Sequence, residues 1–416
     1  MQCQVQSKED IRIVSSSLTG NLMAKSDNNS CQRVEGIDYI SGIPLSIDIS
    51  GGYIADISFE KSMDSSDLPF IAPGLFDIQV NGINGTDFNT CPLSYNDIRT
   101  ALVAHHRHGI TSFFPTLVTS DRKNLKESLL QISSFCTDYP DEGSSIAGIH
   151  LEGPFISGDD GPRGAHSKKY ITLPDISLLE EWQHCSGGMV KLITLAPELP
   201  GTLEFIKQCR KNGILVALGH TSANTDQIRK AVMAGAKLST HLGNGAHLML
   251  PRHPNYLWDQ LAERNLWASI IADGFHLPDN FMRVVFKVKG DHTILISDST
   301  KFTGMNPGKY HSLIGGPVVL TSDGRLCTAE NPDILAGSAM TLLDCVNYLT
   351  SKNICTIPKA WKMASVNPSN LLFPGIPNGL KRGARADIVL FTRENGRIII
   401  RQTIKSGKRV YDMRKQ

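Results

Sequence analysis

The chain has no uninterrupted apolar run approaching the ~20 residues that span a bilayer. Its start, Met1 to Asp10, has no apolar segment of the secretory-signal kind. Charge of one sign is not in excess either. The 42 Lys and Arg residues against 40 Asp and Glu leave a formal net charge of +2, so nothing points to nucleic acid or an anionic membrane surface as partner. There is no CxxC pair. The 9 cysteines are irregularly spaced and odd in number, which argues against a disulfide framework and for a reducing compartment. No strict internal repeat and no low-complexity tract occurs. These absences together indicate a cytoplasmic protein with neither a nucleic-acid nor a membrane partner.

What is present is material for a core. Hydrophobic residues make up 41% of the 416 positions and charged residues 20%. Residues 1–70 carry short alternating runs, with Pro44 to Gly52 and Tyr53 to Ile57 reading as a β-hairpin turned at Gly51-Gly52. Lys25 to Gln32 is polar and reads as a loop. Ala386–Phe391, Gly396–Ile404 and Gly407–Tyr411 read as strands at the other end. Between these ends, from about 71 to 377, apolar runs alternate with amphipathic segments. The segments 95–108, 124–135, 203–212 and 225–234 read as helices, each followed by a strand. Repeated βα units imply a parallel sheet, most simply a (β/α)8 barrel. The predicted fold class is therefore α/β: a (β/α)8 TIM-like barrel over 71–377, with a small β-sandwich formed from both chain termini, 1–70 plus 378–416.

Four apolar runs stop at a polar residue. They are Gly148–Pro154 at Glu152, Ile214–Thr221 at His220, Leu238–His241 at His241, and Ile294–Asp298 at Asp298. In a parallel barrel all strand C-termini open on one face, where active sites lie. Two imidazoles and a carboxylate with an open position form a common catalytic metal set. Each histidine taken singly also fits a satisfied barrel residue, and Asp298 taken singly fits a helix N-cap, since Ser299 and Thr300 follow. His105, His106 and His108 lie late in a helix, where imidazolium suits the dipole, and read as structural. Gly304 belongs to a loop beyond Asp298 that reads as a connection or a lid.

The ordered set Pro73–Asp77, His150–Phe155, Gly164–His166, Thr194–Glu198, Gly219–Thr221, Ile271–His276 and Leu335–Ser338 resembles the amidohydrolase superfamily. More closely, it resembles the N-acetylglucosamine-6-phosphate deacetylase family, over roughly residues 45 to 412. The resemblance implies metal-dependent hydrolysis of the acetamide of that sugar phosphate to glucosamine-6-phosphate and acetate, a step of amino-sugar catabolism. It implies Glu152, His220 and His241 as metal ligands, Asp298 as catalytic base, and His166 as the group polarising the substrate carbonyl. It implies Arg252 and His276 as substrate-binding residues, with Arg252 reaching the phosphate across a homodimer interface. Asn244 and Gly245 match a phosphate-contacting loop, and Leu335 and Gly337 a segment lining the acyl side.

Two departures qualify this. Many amidohydrolases carry His-x-His after the first strand, whereas this chain has Gln79 and Asn81. Neutral amides are poor ligands for a second cation, so one divalent metal is expected, zinc first, with iron, manganese or cobalt as alternatives. The loop Leu242-Gly243-Asn244-Gly245-Ala246-His247 also differs from the family's usual Phe or Tyr before Asn and Ala-Met after it, and His247 and His253 match no family role. That loop leaves open another N-acyl sugar or N-acyl compound as substrate. A barrel that has lost catalysis and serves as scaffold is the reading from another class, and the four retained strand-end residues argue against it.

Overall fold

The computed structural model describes residues 32–60, 64–312 and 316–415. The polar segment from Lys25 lies outside the described residues, except that Gln32 opens a strand. Eight parallel strands are hydrogen-bonded in chain order. They are β1 (Leu75–Val80), β2 (Ile110–Val118), β3 (Ile149–Glu152), β4 (Val190–Leu195), β5 (Leu215–Leu218), β6 (Leu238–Ser239), β7 (Trp267–Ile271) and β8 (Thr293–Ile296). The ring closes just beyond β8. There the Asp298 N–H donates to Gln79 O at 3.1 Å and the Asn81 N–H to Ser299 O at 2.8 Å. The expected barrel is present.

A helix follows each strand: α1 (Tyr95–Arg107), α2 (Arg122–Asp138), α3 (Ile176–Cys185), α4 (Thr202–Lys211), α5 (Thr225–Ala234), α6 (Tyr256–Ala262), α7 (Asp279–Lys289) and α8 (Leu342–Ser351). Their starts are chemically marked. Ser94 with Asp97, Asn224 with Gln227, and Thr341 with Asp344 form capping boxes that satisfy backbone N–H groups otherwise without partners. In α5 the buried positions Ile228, Ala231 and Ala234 recur at helical spacing and seat the helix on the sheet. Among the described residues no helix is long and apolar enough to cross a membrane.

The barrel has two apolar layers. Phe76, Ile78, Phe114, Leu192, Ala217, Leu238, Ile294 and Ile296 pack together as one cluster. Alternate positions such as Ile149, Leu151, Ile193, Leu195, Val216 and Leu218 belong to the larger cluster shared with the helices. Burial on both faces explains why these strands read as continuous apolar runs. It also decides where the polar strand ends go: position 298 is next in the period of Ile294 and Ile296.

Described segments from both halves of the chain, 32–73 and 388–412, meet in one seven-stranded sheet, ordered Lys408–Asp412, Arg397–Lys405, Ile388–Glu394, Phe70–Pro73, Gln32–Asp38, Pro44–Ser50, Tyr53–Phe59. The hairpin turns at Gly51 and Gly52, at φ 58° and 83°, a region that glycine enters without steric cost. The sheet folds over a core of its own in which Ile47, Ile49 and Ile54 from one end pack with Ile388, Leu390 and Ile404 from the other. Trp361, fully buried, ties this unit to the barrel. Its Nε1 donates to Pro73 O at 2.8 Å and its ring stacks on Phe391 at 4.9 Å. A three-stranded antiparallel sheet over Gly308–Ser312, Gly316–Leu320 and Leu326–Thr328 lies between β8 and α8. The sequence reading had only a loop there.

The histidines late in α1 are placed differently from the dipole argument. His105 is buried with neither ring nitrogen bonded to a described residue and lies 4.2 Å from the Phe113 ring, so burial holds its pKa well below the usual imidazole value. Burial, and then the charge of Lys405, push His106 down from 6.5 to about 4, and its Nε2 meets Ser145 Oγ at 3.0 Å. Both are packed as neutral rings. Between those two pH values the unfolded chain takes up a proton that native His106 refuses. Its share of stability is therefore present above about pH 6.5 and is lost as pH falls towards about 4, in total of the order of 3 kcal/mol. Urea midpoints measured from about pH 7 to about pH 5 should fall for the wild type, and fall less for His106→Gln. Equal slopes would remove His106 as a source of acid sensitivity.

Candidate metal centre and active site

Glu152 ends β3, and His220, His241 and Asp298 follow β5, β6 and β8 directly. The three that lie past their strands have left-handed backbone, at φ 52°, 28° and 48°. Non-glycine residues rarely adopt it, and it costs of order 1 kcal/mol or more unless the surroundings fix it. Here they do. The Ser157 N–H donates to His220 O at 2.8 Å, the His241 N–H donates to Ser269 Oγ at 2.9 Å, and the Asp298 N–H is bonded across the barrel seam.

The side chains converge. His220 Nε2 lies 3.2 Å and His241 Nε2 3.0 Å from Glu152 Oε1, and the two Nε2 atoms are 3.0 Å apart. All three residues are buried, and one ligand atom from each lies within 4.8 Å of the others. The tautomer of His220 is fixed: its Nδ1–H donates to Pro162 O at 2.8 Å, so the Nε2 lone pair faces the cluster. Two nitrogen donors and a carboxylate oxygen aimed at one buried point fit a divalent cation. Burial alone would raise the Glu152 pKa, but hydrogen bonds and charge from His220 and His241 hold it well below the carboxylate range.

Asp298 is joined to this cluster by the two amides that stand where His-x-His was absent. Gln79 Nε2 donates to Glu152 Oε1 at 2.8 Å and to Asp298 Oδ1 at 3.2 Å, and Asn81 Nδ2 donates to Asp298 Oδ1 at 2.7 Å. Sequence reasoning saw Gln79 and Asn81 only as an absence. Their spacing of two, at the end of β1 and just past it, which points both the same way, was the available signal. Burial, followed by the charge of Glu152, pushes Asp298 up to about 6. Asp298 caps no helix; a turn follows it. Beneath, Asp77 accepts the N–H groups of Gln79 at 3.3 Å and Ser297 at 3.2 Å, and burial pushes its carboxyl up to about 7. His166 is buried with Nε2 3.3 Å from His220 Nε2, and burial drives its pKa down to about 3, so it is a neutral ring.

The remaining predicted residues divide. His276 Nδ1 donates to buried Asp273 Oδ2 at 2.7 Å, leaving Nε2 to face outward from that pair. It lies near enough to Asp298 to act on it electrostatically, which places it at the same mouth. Asn244 Nδ2 donates to His241 O at 3.4 Å. Gly245 lies against the histidine pair: a Cβ there would sit 2.9 Å from His220 Nδ1 and 3.3 Å from His241 Cε1, at φ 57°. The Leu335–Gly337 segment runs beside Asp298, since Thr300 N–H donates to Ser338 O at 2.9 Å, and a Cβ on Gly337 would meet Thr300 Cγ2 at 2.7 Å. Arg252 is different: it is exposed on the loop before α6, with no side-chain hydrogen bond to a described residue. His253 is exposed beside it, whereas His247 Nδ1 and its backbone N–H both meet Tyr256 Oη, at 2.9 and 2.8 Å.

A closed β/α barrel with a buried Glu-His-His set and an adjacent Asp at its C-terminal mouth defines the class: a metal-dependent hydrolase. The Amidohydrolase family matches residues 70–410. An N-acetylglucosamine-6-phosphate deacetylase of Danio rerio is 33% identical over 360 residues, covering 82% of this chain and 84% of the relative. One of Bacillus subtilis is 29% identical over 361 residues, covering 84% and 89%. The structure of an N-acetylglucosamine-6-phosphate deacetylase from Thermotoga maritima matches with a TM-score of 0.80 and 27% identity, over 92% of this chain and all of that one. A variant of the Mycobacterium smegmatis deacetylase, in complex with N-acetyl-D-glucosamine-6-phosphate, matches with a TM-score of 0.79 and 25% identity, over 92% and 99%. The chain belongs to the amidohydrolase family and, within it, to the N-acetylglucosamine-6-phosphate deacetylases.

Gly245 gives this subsection its test. Gly245→Val should displace His220 and lower metal retention on dialysis by roughly tenfold. Gly187→Val also strains a left-handed glycine, at φ 59°, but would meet nothing within 4 Å, so it should leave metal content unchanged. Equal retention in both variants would remove the close approach of Gly245 as a requirement.

Proposed function

We propose that the protein hydrolyses the acetamide of N-acetylglucosamine-6-phosphate to acetate and glucosamine-6-phosphate. The observation that carries this is the Glu152-His220-His241 set beside Asp298, in a chain 33% identical over 82% of its length to a relative named for that reaction. Glu152, His220 and His241 hold one divalent cation, zinc by the nitrogen-rich donor set, with iron, manganese or cobalt as alternatives. When bound, the cation supplies Lewis acidity and lowers the pKa of a water.

The chain's own residues do the rest. Asn81 and Gln79 occupy Oδ1 of Asp298, which leaves Oδ2 as the basic atom. Oδ2 takes a proton from the attacking water and returns it to the amine nitrogen as the C–N bond breaks. Neutral His166 donates a hydrogen bond to the carbonyl oxygen as negative charge develops there. His276, fixed by Asp273, and the Asn244–Gly245 loop hold the sugar phosphate, and Leu335 and Gly337 border the acyl group. Arg252 binds the phosphate of the neighbouring subunit in a homodimer. Support for that interface is the exposed apolar pair beside it, Leu248 at 100% and Met249 at 87%. The protein acts in the cytoplasm, on a phosphorylated amino sugar.

A second reading, a different N-acyl sugar, is favoured by the Gly243–His247 loop. A Cβ on Gly243 would lie 2.7 Å from Leu277 Cδ2 and 3.0 Å from Phe281 Cε1, so those two side chains fill the space a larger residue would take.

Acetate release from N-acetylglucosamine-6-phosphate, its unphosphorylated form and its galacto isomer decides between the readings. The phosphorylated gluco sugar should be turned over best. Asp298→Asn should lose turnover by about 100-fold or more while retaining metal. Appreciable turnover by that variant rejects the base assignment. Arg252→Ala should raise KM without changing the metal content.

A further inference from the structure

The segment Thr194-Leu195-Ala196-Pro197-Glu198 ends in a carboxylate that none of the roles above uses. Glu198 is partly buried just past β4, and both of its oxygens are committed. Oε2 accepts the Thr221 hydroxyl at 2.5 Å, and Oε1 accepts the Ser222 backbone N–H at 2.7 Å. Thr221 and Ser222 directly follow His220, whose backbone is left-handed at φ 52°. The grip extends outward. Thr221 Oγ1 also accepts the Ala223 N–H at 2.9 Å, and Ser222 Oγ donates to Asp159 Oδ2 at 2.7 Å and meets Ser157 Oγ at 3.0 Å. Ser157 in turn donates its backbone N–H to His220 O at 2.8 Å.

We propose that Glu198 is a positioning residue: it holds the turn after β5 in the conformation that aims His220 Nε2 at the metal centre. The reasoning is energetic. A non-glycine residue at positive φ reverts to a commoner backbone unless neighbouring bonds fix it. Of the bonds on its C-terminal side, those to the Thr221 hydroxyl and the Ser222 backbone N–H both come from Glu198. A bidentate carboxylate on the adjacent strand is suited to the task because hydrogen bonds to an ionised acceptor are stronger than neutral ones. Burial raises the Glu198 pKa, while the Thr221 and Ser222 bonds oppose that rise. The bonds thus favour the ionised form that makes them. Glu198 touches neither substrate nor cation in this account and acts through His220 alone.

The inference rests on His220 being a metal ligand, so the experiment separates the two. Wild type, His220→Ala, Glu198→Ala and Glu198→Gln are loaded with cobalt. The visible absorption of the bound ion, its rate of loss to a chelator, kcat, KM and thermal unfolding are then measured. Glu198→Ala should lose cobalt roughly tenfold faster or more and show a changed visible spectrum. Its kcat should fall with KM little altered. Glu198→Gln should recover most of the wild-type spectrum, because its amide oxygen still accepts the Ser222 N–H and its NH2 can donate to Thr221 Oγ1. If His220→Ala keeps its cobalt, the ligand reading fails. If His220→Ala loses cobalt but Glu198→Ala retains it with the wild-type spectrum, the positioning role is overturned. Should Glu198→Ala not fold, Thr221→Val keeps the carboxylate and its bond to the Ser222 N–H while removing the Thr221 hydroxyl, with its bonds to Glu198 and from the Ala223 N–H. It carries the same expectation at smaller size, and wild-type retention and spectrum in it overturn the proposal.

Discussion

Everything at the mouth of this barrel depends on two imidazole nitrogens held 3.0 Å apart with a carboxylate oxygen 3.0–3.2 Å from each. Lone pairs do not face one another at that separation without a cation or proton between them. The surrounding structure keeps the arrangement in place. Pro162 O fixes which nitrogen of His220 is bare, and Ser269 holds the backbone of His241. Glycine at 245 allows the next loop to approach the His220 ring. Each of these holds a donor in place without itself being one. Such second-layer contacts set ligand geometry as firmly as the ligands' own identity.

The barrel itself was legible because its strands are buried on both faces. A run such as Ile214–Leu218 then reads as unbroken apolar sequence, and its polar stop marks the mouth. Helix α5 was legible to the residue, since Asn224, Gln227 and Gly235 punctuate it with a capping box and a positive-φ end. The sheet over 308–328 was not. Its strands are short and mostly half-exposed, with Gly308, Gly316 and Pro317 breaking any alternation, so no period survives to be read. The protonation of the α1 histidines was not legible for a different reason. Position in a helix suggests imidazolium, but whether the ring is wet is decided by residues far away, Phe113 beneath His105 and Lys405 near His106.

The site was legible as a list and not as a geometry. Glu152, His220, His241 and Asp298 could be named from strand ends alone. What could not be read was how they are held. Glu198 is 22 residues before His220 in sequence and reaches the turn after it, at Thr221 and Ser222, only because β4 and β5 are neighbours with their C-terminal ends in register, Leu195 opposite Leu218. Nearer at hand, Tyr256, at the start of α6, bonds His247 nine residues before it and with it the segment bearing Asn244 and Gly245. A residue whose partner is a backbone N–H leaves no mark in the partner's identity, so this layer is invisible in one sequence.

Gln79 and Asn81 show how an absence becomes a device. A carboxylate pair this close, Glu152 and Asp298, raises the cost of ionising both, and the charge of Glu152 is one cause of the upward shift of Asp298. Two histidines at 79 and 81 would answer that with a second cation. Two amides answer it with neutral N–H donors: Gln79 bridges both carboxylates and Asn81 takes a second hydrogen bond to Asp298 Oδ1. Because both amides act on the same oxygen, they also fix which face of the Asp298 carboxylate is free. On the proposed mechanism, the two amides that stand in place of a second metal site would also orient the group that acts as base, an orientation a second ion would otherwise supply.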